Sequence, residues 1–147
     1  MRRPVLPALA ALLPCAALAQ APVASVDAYR NRPLTTGAWT LLLAAESSEA
    51  RYGEAGRPAR LTLRCDMAAR RVRITRPDRT PGTITIVTSS MTRTLTAPGE
   101  VLASEPLLDA IAFSRGRFVV LAPASSGDAL IIPAWPEAAR IAEDCRK

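Results

Sequence analysis

Side chains capable of chemistry are scarce in this sequence, and the first restriction is that it contains no histidine. Without imidazole, Ser-His-Asp catalysis, Cys-His catalysis and histidine-ligated zinc are all excluded. Ser114 lacks the glycine two residues earlier that a nucleophile elbow needs. We therefore predict no serine nucleophile.

Carboxylates and glycine-rich loops offer little more. Glu143 and Asp144 are neighbours on a predicted helix, where successive side chains diverge by about 100°, which favours a solvated face over a paired acid and base. The sequence has no phosphate-binding glycine loop and no calcium-loop pattern. We predict no catalytic residue, no metal site and no cofactor, and a role other than catalysis is favoured.

Two of the three cysteines are predicted to form a disulfide bond. Cys15 lies in a segment predicted to be removed on export, which leaves Cys65 and Cys145 in a compartment where thiols are commonly oxidised. Cys65 falls on the apolar face of the alternating segment 60–65, and Cys145 on the apolar face of the predicted helix 136–146. Both point inward, and the lack of CxxC spacing disfavours a redox pair or metal ligands.

The first 19 residues have the pattern of an export signal. Arg2 and Arg3 precede an apolar stretch over 5–18, and small residues around position 19 predict cleavage after Ala19. The stretch has about 14 residues, fewer than the roughly 20 that a membrane-spanning helix needs. We predict a signal peptide over 1–19, a flexible leader over 20–37 and a single domain over 38–147. The mature chain, without a transmembrane segment, is expected to be periplasmic or secreted.

The remaining pattern predicts a β-rich domain that ends in a helix. Short apolar or alternating segments, several of them separated by glycine or proline, favour antiparallel strands. These predicted strands are 39–44, 50–52, 60–65, 71–75, 83–88, 91–96, 117–121 and 129–132. Helices are predicted over 107–113 and 136–146, and a turn at 125–128. The predicted fold class is mainly β, as an antiparallel meander, sandwich or barrel-like sheet, with a C-terminal α-helix joined to it by the Cys65–Cys145 disulfide.

Arginine is concentrated in the middle of the chain, where residues 51–93 contain ten arginines and three acids. Four arginines on the two best-defined strands lie opposite the apolar face, namely Arg60, Arg64, Arg71 and Arg73. They would form one solvent-facing cluster if these strands pair. Planar guanidinium groups suit phosphate or carboxylate partners. The alternative is a solvated polar face in a protein that uses arginine instead of lysine.

A short arginine loop and one tryptophan each have two interpretations. Residues 114–117 display Arg115 and Arg117 around Gly116, which suits either an anion-binding loop or a tight connection that needs a glycine backbone angle. Arg115 and Arg117 therefore join the candidate contacts for an anionic partner. Trp135, which lies between Pro133 and Pro136, is predicted to fill the core beneath the last helix rather than to stack on a ligand.

Several segments carry a resemblance to known proteins. Residues 109–118 (DAIAFSRGRF) and 133–146 (PAWPEAARIAEDCR), together with Trp39 and residues 63–66, resemble a group of small exported alphaproteobacterial proteins. The likeness spans most of the mature chain and implies export and a shared fold, without a substrate. More distantly, the order of a tryptophan, an early strand cysteine and a late cysteine is similar to small β-rich envelope proteins such as the invasion-associated locus B family.

We favour a noncatalytic, envelope-associated module that docks on an anionic envelope component or an envelope protein through its arginine-bearing sheet face. Nucleic acid is not expected as a partner, because only six aromatic residues are present to build a stacking surface. A carboxylate-dependent envelope hydrolase is one alternative, and it requires a cleft that gathers acids such as Asp66, Asp109, Glu137 and Asp144. A lysozyme-inhibitor-like protein is another, disfavoured because lysozymes are generally basic and this chain has a net charge of +6.

Overall fold

The fold is described for residues 25–122 and 128–147 of a computed structural model, so the predicted signal peptide and positions 125–127 of the predicted turn lie outside it. The strands are β1 (Ala38–Leu43), β2 (Ser47–Gly53), β3 (Leu61–Asp66), β4 (Arg71–Thr75), β5 (Ile84–Val87), β6 (Thr92–Leu95), β7 (Glu100–Leu102), β8 (Arg117–Leu121) and β9 (Leu130–Pro133). The helices are a short 3-10 helix (Val26–Tyr29), α1 (Pro106–Ala112) and α2 (Pro136–Arg146). All strand pairs are antiparallel. The predicted fold class, mainly β with a C-terminal helix, is confirmed.

Two sheets share one apolar core. The first sheet has the strand order β1-β2-β3-β4-β7, and the second has the order β6-β5-β8-β9. Strand β3 shows why they pack: Leu61, Leu63 and Cys65 are buried on one face, whereas Arg64 and Asp66 are exposed on the other. One cluster of buried residues draws members from both sheets and both α-helices. The outer face of the first sheet is left mostly to polar side chains, with Leu42 and Leu102 exposed among them.

Helix α2 closes the core beside the first sheet. Pro136 occupies its first turn, where proline is tolerated, and its buried face ends at Cys145. Cys145 is bonded to Cys65 in β3, with the two Cα atoms 5.5 Å apart, so the predicted disulfide is confirmed. Arg146 adds two hydrogen bonds of 2.8 and 3.0 Å to the carboxylate of Asp109 in α1. These contacts fix both α-helices against the sheet.

Residues 25–37 differ from the flexible leader predicted for 20–37. The 3-10 helix packs Val26 and Tyr29 against an apolar cluster on the outer face of the second sheet, formed by Val87, Val119 and Ile131. Thr35 then follows the free edge of β9, where its N–H donates to the Ile131 carbonyl and its hydroxyl accepts from the Ile131 N–H, both at 2.9 Å. The outer face of the second sheet is thus partly apolar, and this segment covers an apolar patch that the core does not.

Two further differences concern Trp135 and strand β7. Trp135 is 57% exposed, so the prediction that it fills the core is wrong. It precedes α2 with an extended backbone, and the buried face of the helix begins only at Ala138. Trp39 lies in the core instead, and its indole N–H donates to the Pro133 carbonyl at 2.9 Å. Strand β7 was not predicted because three residues are too few to show alternation.

Candidate anion-binding face

The outer face of the first sheet carries a row of charged side chains that crosses four strands. Glu49 in β2 lies opposite Arg64 in β3, and Arg64 lies opposite Arg73 in β4. Arg73 in turn lies opposite Glu100 in β7. Two guanidinium groups therefore stand side by side between two carboxylates. Because like charges directly opposite each other destabilise a sheet, the flanking carboxylates offset a repulsion that this register creates.

The arginines of this row project further into solvent than the carboxylates do. The side chains of Arg64 and Arg73 are 59% and 54% exposed, whereas those of Glu49 and Glu100 are 13% and 33% exposed. Glu49 is covered because Arg51, two residues along β2, hydrogen-bonds to it. That hydrogen bond and the charge of Glu49 raise the pKa of Arg51 above its ordinary value. A solute that approaches this face meets guanidinium groups first.

Arg64 is the least engaged guanidinium of the row. Its nearest ionic contact is from Nη1 to the Glu49 carboxylate at 3.7 Å, which is too long for a hydrogen bond. Within the described ranges its five N–H donors are therefore open. Arg73, by contrast, donates two hydrogen bonds to Glu100, one of them from Nε at 3.1 Å. An anion between the two guanidinium groups would find its donors chiefly on Arg64.

A groove of about 680 Å³ lies on this face. Its floor includes a second cross-strand row, made of Thr40, Arg51, Thr62 and Thr75. The β2–β3 loop, residues 54–59, and Pro77 line its border. The three threonine hydroxyls of the floor have no hydrogen-bond partner in the part of the chain that the structure describes. The groove therefore offers hydroxyl and guanidinium groups on one concave surface, beside the apolar side chains of Ala38 and Leu42 and the carboxylates of Glu49 and Glu54.

The face is less basic than the arginine count of the sequence indicates. Its charged residues are Arg51, Arg64, Arg71 and Arg73 with Glu49, Asp66 and Glu100, a net charge of +1. Glu49 and Glu100 lie outside the arginine-rich segment 51–93, but the strand order brings them beside it. Long-range attraction is therefore modest, and recognition depends on direct contact with exposed guanidinium groups.

Arg60 does not join this row. Its guanidinium approaches the carboxylates of Asp78 and Asp128 at 3.7 and 3.8 Å. The same two carboxylates bind Arg76, whose side chain is only 2% exposed, at 3.0 and 3.1 Å. Arg60 thus belongs to an ion-pair network that ties the β4–β5 loop to the segment before β9. The sequence did not indicate this network, because Asp128 is remote from the arginines along the chain.

Arg115 precedes β8 and Arg117 is its first residue, so both lie at the second sheet, apart from the charged row. Arg117 donates from Nη1 to the carbonyl oxygens of Arg30 and Arg32 at 3.2 and 3.0 Å. The backbone N–H of Arg115 donates to Ser89 Oγ at 3.1 Å. The six arginines predicted to contact an anionic partner therefore fall into three places: Arg64, Arg71 and Arg73 on the outer face, Arg60 in the ion-pair network, and Arg115 and Arg117 in a separate cleft.

The four acids that the hydrolase hypothesis requires are divided among a sheet face and two helices. Asp66 lies on the outer face of β3, and Asp109 lies in α1, bound to Arg146. Glu137 and Asp144 stand at opposite ends of α2. Among the described residues no group of three or more histidine, cysteine, aspartate or glutamate side chains is placed to hold a metal ion.

Asp144 shows the wrong electrostatics for a general acid. Burial raises the pKa of its carboxyl group, but hydrogen bonds from Lys147 and Arg140 outweigh that cost and hold the pKa below its ordinary value. Both hydrogen bonds measure 3.0 Å. A general acid at neutral pH needs a raised pKa. Asp144 therefore serves as an anchor for the end of α2.

In comparisons with known proteins, no family model, no curated protein and no solved structure matches the chain. Over residues 25–122 and 128–147, no helix has the length and apolar character needed to cross a membrane.

Proposed function

We propose that this chain is an exported, noncatalytic binding module that holds an acidic polysaccharide in the groove on the outer face of the first sheet. The observation that carries the proposal is the cross-strand pair Arg64 and Arg73. Both guanidinium groups are exposed, and the neighbouring carboxylates of Glu49 and Glu100 are less exposed than they are. An anionic group bound between these guanidinium groups relieves their mutual repulsion and gains charge-assisted hydrogen bonds.

The shape and lining of the groove favour a sugar chain as the source of that anion. A polysaccharide repeats carboxylate or sulfate groups along a chain of hydroxyls, and the floor offers the exposed hydroxyl of Thr40 and the partly exposed hydroxyl of Thr75 beside the arginines. A concave groove bordered by the 54–59 loop accepts an extended chain more readily than a flat membrane surface. The Cys65–Cys145 disulfide supports a location outside the cytosol, where such polymers occur.

The test is calorimetric titration of the full chain with a size-defined oligogalacturonate, in low and in physiological salt. The double variant Arg64→Gln, Arg73→Gln is compared with Arg93→Gln, Arg140→Gln, which removes two arginines of similar exposure outside the groove. Charge-assisted hydrogen bonds contribute about 1.5–3 kcal/mol each, so the groove variant should bind at least about tenfold more weakly. The control variant should change the dissociation constant by less than about threefold.

Three results would contradict the proposal. Equal weakening in both double variants would mean that only bulk charge attracts the oligomer. Equal affinity for the oligogalacturonate and for a neutral oligosaccharide of the same length would show that the guanidinium pair does not contribute to binding. Binding to anionic vesicles without binding to the oligomer would identify the partner as a membrane surface. Binding that weakens as salt rises, and that is lost only in the groove variant, supports the proposal.

A further inference from the structure

A second, smaller cleft lies between the 3-10 helix and two loops that approach it beside the second sheet. It has a volume of about 140 Å³. Three arginines line it, Arg30, Arg115 and Arg117, together with Ser89, Asp27 and Val26. None of these residues belongs to the groove on the first sheet. The cleft is therefore a separate feature of the molecule, and it does not depend on the function proposed above.

Hydrogen bonds hold the walls of this cleft in place. The Ser89 N–H donates to Ser114 Oγ at 3.1 Å, and the Arg115 N–H donates back to Ser89 Oγ at 3.1 Å. Ser114 Oγ in turn donates to the Arg117 carbonyl at 2.5 Å. Gly116 completes the turn with a φ of 75°, a backbone conformation that favours glycine. These hydrogen bonds hold residues 114–117 against the β5–β6 connection, so the backbone of Arg115 has a fixed position at the cleft.

Arg117 joins the loop to the segment that follows the 3-10 helix. Its Nη1 donates to the carbonyl oxygens of Arg30 and Arg32, which leaves Nε and Nη2 without a hydrogen bond inside the described ranges. The same bonds hold the backbone of Arg30 at the cleft. The three arginines therefore line one small cleft, and the side chains of Arg30 and Arg115 form no hydrogen bond within the described ranges.

These three charges are not neutralised in the described part of the chain. No carboxylate lies within ion-pair distance of Arg30, Arg115 or Arg117. Most other arginines of the protein do have such a partner. Asp27 is the one acid among the lining residues and forms no ion pair there, so the lining carries a net charge of +2. A dianion would balance it.

The size of the cleft agrees with that charge. The space of about 140 Å³ is several times the roughly 30 Å³ that one water molecule occupies in the liquid, so a small polyatomic ion can enter it. A phosphate or sulfate group is such an ion. Guanidinium groups bind such tetrahedral oxyanions through paired N–H donors, with better geometry than an ammonium group offers.

We propose that the Arg30, Arg115 and Arg117 cleft binds a single phosphate or sulfate group of a small ligand or of a substituted polymer. The ligand supplies the two negative charges that the cleft lacks. Arg30 and Arg115 contact the oxyanion from opposite walls, and Arg117 contributes its free donors while it holds the backbone of the 3-10 segment in position.

The experiment is an NMR titration of the full-length, ¹⁵N-labelled chain with inorganic phosphate, and in parallel with sulfate, acetate and a sugar phosphate, at constant ionic strength. Phosphate or sulfate should shift the backbone amides of Ser89 and Arg115 along a saturable curve. Acetate, which is planar and singly charged, should bind at least about tenfold more weakly. Saturation by the sugar phosphate as well as by free phosphate would identify an ester as an accepted source of the group.

Two variants make the result specific. Arg30→Gln and Arg115→Gln should each weaken phosphate binding at least about tenfold, and neither removes a side-chain hydrogen bond that supports the cleft. The variant Arg93→Gln, Arg140→Gln, which removes two arginines outside both the cleft and the groove, should leave the phosphate-induced shifts of Ser89 and Arg115 unchanged. Shifts that rise linearly without saturation, or wild-type affinity in Arg115→Gln, would overturn the proposal.

Discussion

Removal of the Cys65–Cys145 bond should cost this protein a large share of its stability. The bond closes a loop with a sequence separation of 80 residues. The chain-entropy relation gives about 4.5 kcal/mol at 25 °C for a loop of that length. A small domain has only about 5–15 kcal/mol in total. The variant Cys65→Ala, Cys145→Ala isolates this effect, because both sulfurs are buried and alanine leaves no unpartnered polar group in their place.

Urea denaturation followed by circular dichroism measures the loss. With a slope of about 2 kcal/mol per molar urea, typical of small domains, the midpoint should fall by about 2 M. All samples carry Cys15→Ala, so that only the pair in the domain is compared. Reductant should lower the midpoint of the parent protein to the same extent and leave the double alanine variant unchanged.

Either of two results would contradict this role of the disulfide. A midpoint that moves by less than about 0.5 M in both the variant and the reduced parent would show that the crosslink does not constrain the unfolded chain. Two reactive thiols in the unreduced, denatured parent would show that the bond is absent from the protein.

Three further substitutions test other parts of the account. Folding lowers the pKa of the Asp144 carboxyl group. The stability lost in Asp144→Asn should therefore be present at neutral pH and vanish as the pH falls well below about 3.9, the ordinary aspartate value. Denaturation at both pH values checks the sign of this effect. Gly99→Ala places a Cβ against a backbone carbonyl of β4 at positive φ and should lower the stability by at least about 2 kcal/mol. Gly56→Ala, which has a similar φ but open space around the added Cβ, should lower it by about 1 kcal/mol less. Equal thermal shifts in the two variants would argue against a steric clash at Gly99. Arg76→Met should cost about 3 kcal/mol because it removes the buried guanidinium that hydrogen-bonds to both Asp78 and Asp128. The half-exposed Arg79→Met should cost less than about 1 kcal/mol, and similar urea midpoints would contradict the assigned network.

Local periodicity predicted most of the fold, because the buried face of a strand or helix can be recognised from the spacing of apolar residues in its own segment. The alternation in 60–65 placed Cys65 inward, and helical spacing did the same for Cys145, so their bond followed without knowledge of the strand order. The sequence suggested a helical turn around residues 25–29, but its packing on the second sheet was not predicted, for the opposite reason. Val26 and Tyr29 are partly buried only because Val87, Val119 and Ile131 form an apolar patch on the outer face of the second sheet, which is a property of distant strands.

The charged row was predicted only in part. Arg64, Arg71 and Arg73 follow from strand alternation, but their acidic neighbours depend on which strands pair. Glu49 had a local signal, since it alternates with buried residues of β2, and the predicted strand 50–52 stopped one residue short of it. Glu100 had none, because β7 is too short to be predicted. Which arginines stay exposed is therefore a property of the assembled sheet.

The most direct measurement of the central claim is an NMR titration that follows the arginine Nε–H signals of the full chain as an acidic oligosaccharide is added. The signals of Arg64 and Arg73 should move along one saturable curve, with one dissociation constant, while those of Arg93 and Arg140 stay in place. If the oligosaccharide saturates the protein and the Arg64 and Arg73 signals do not move, the outer face of the first sheet is not its binding site.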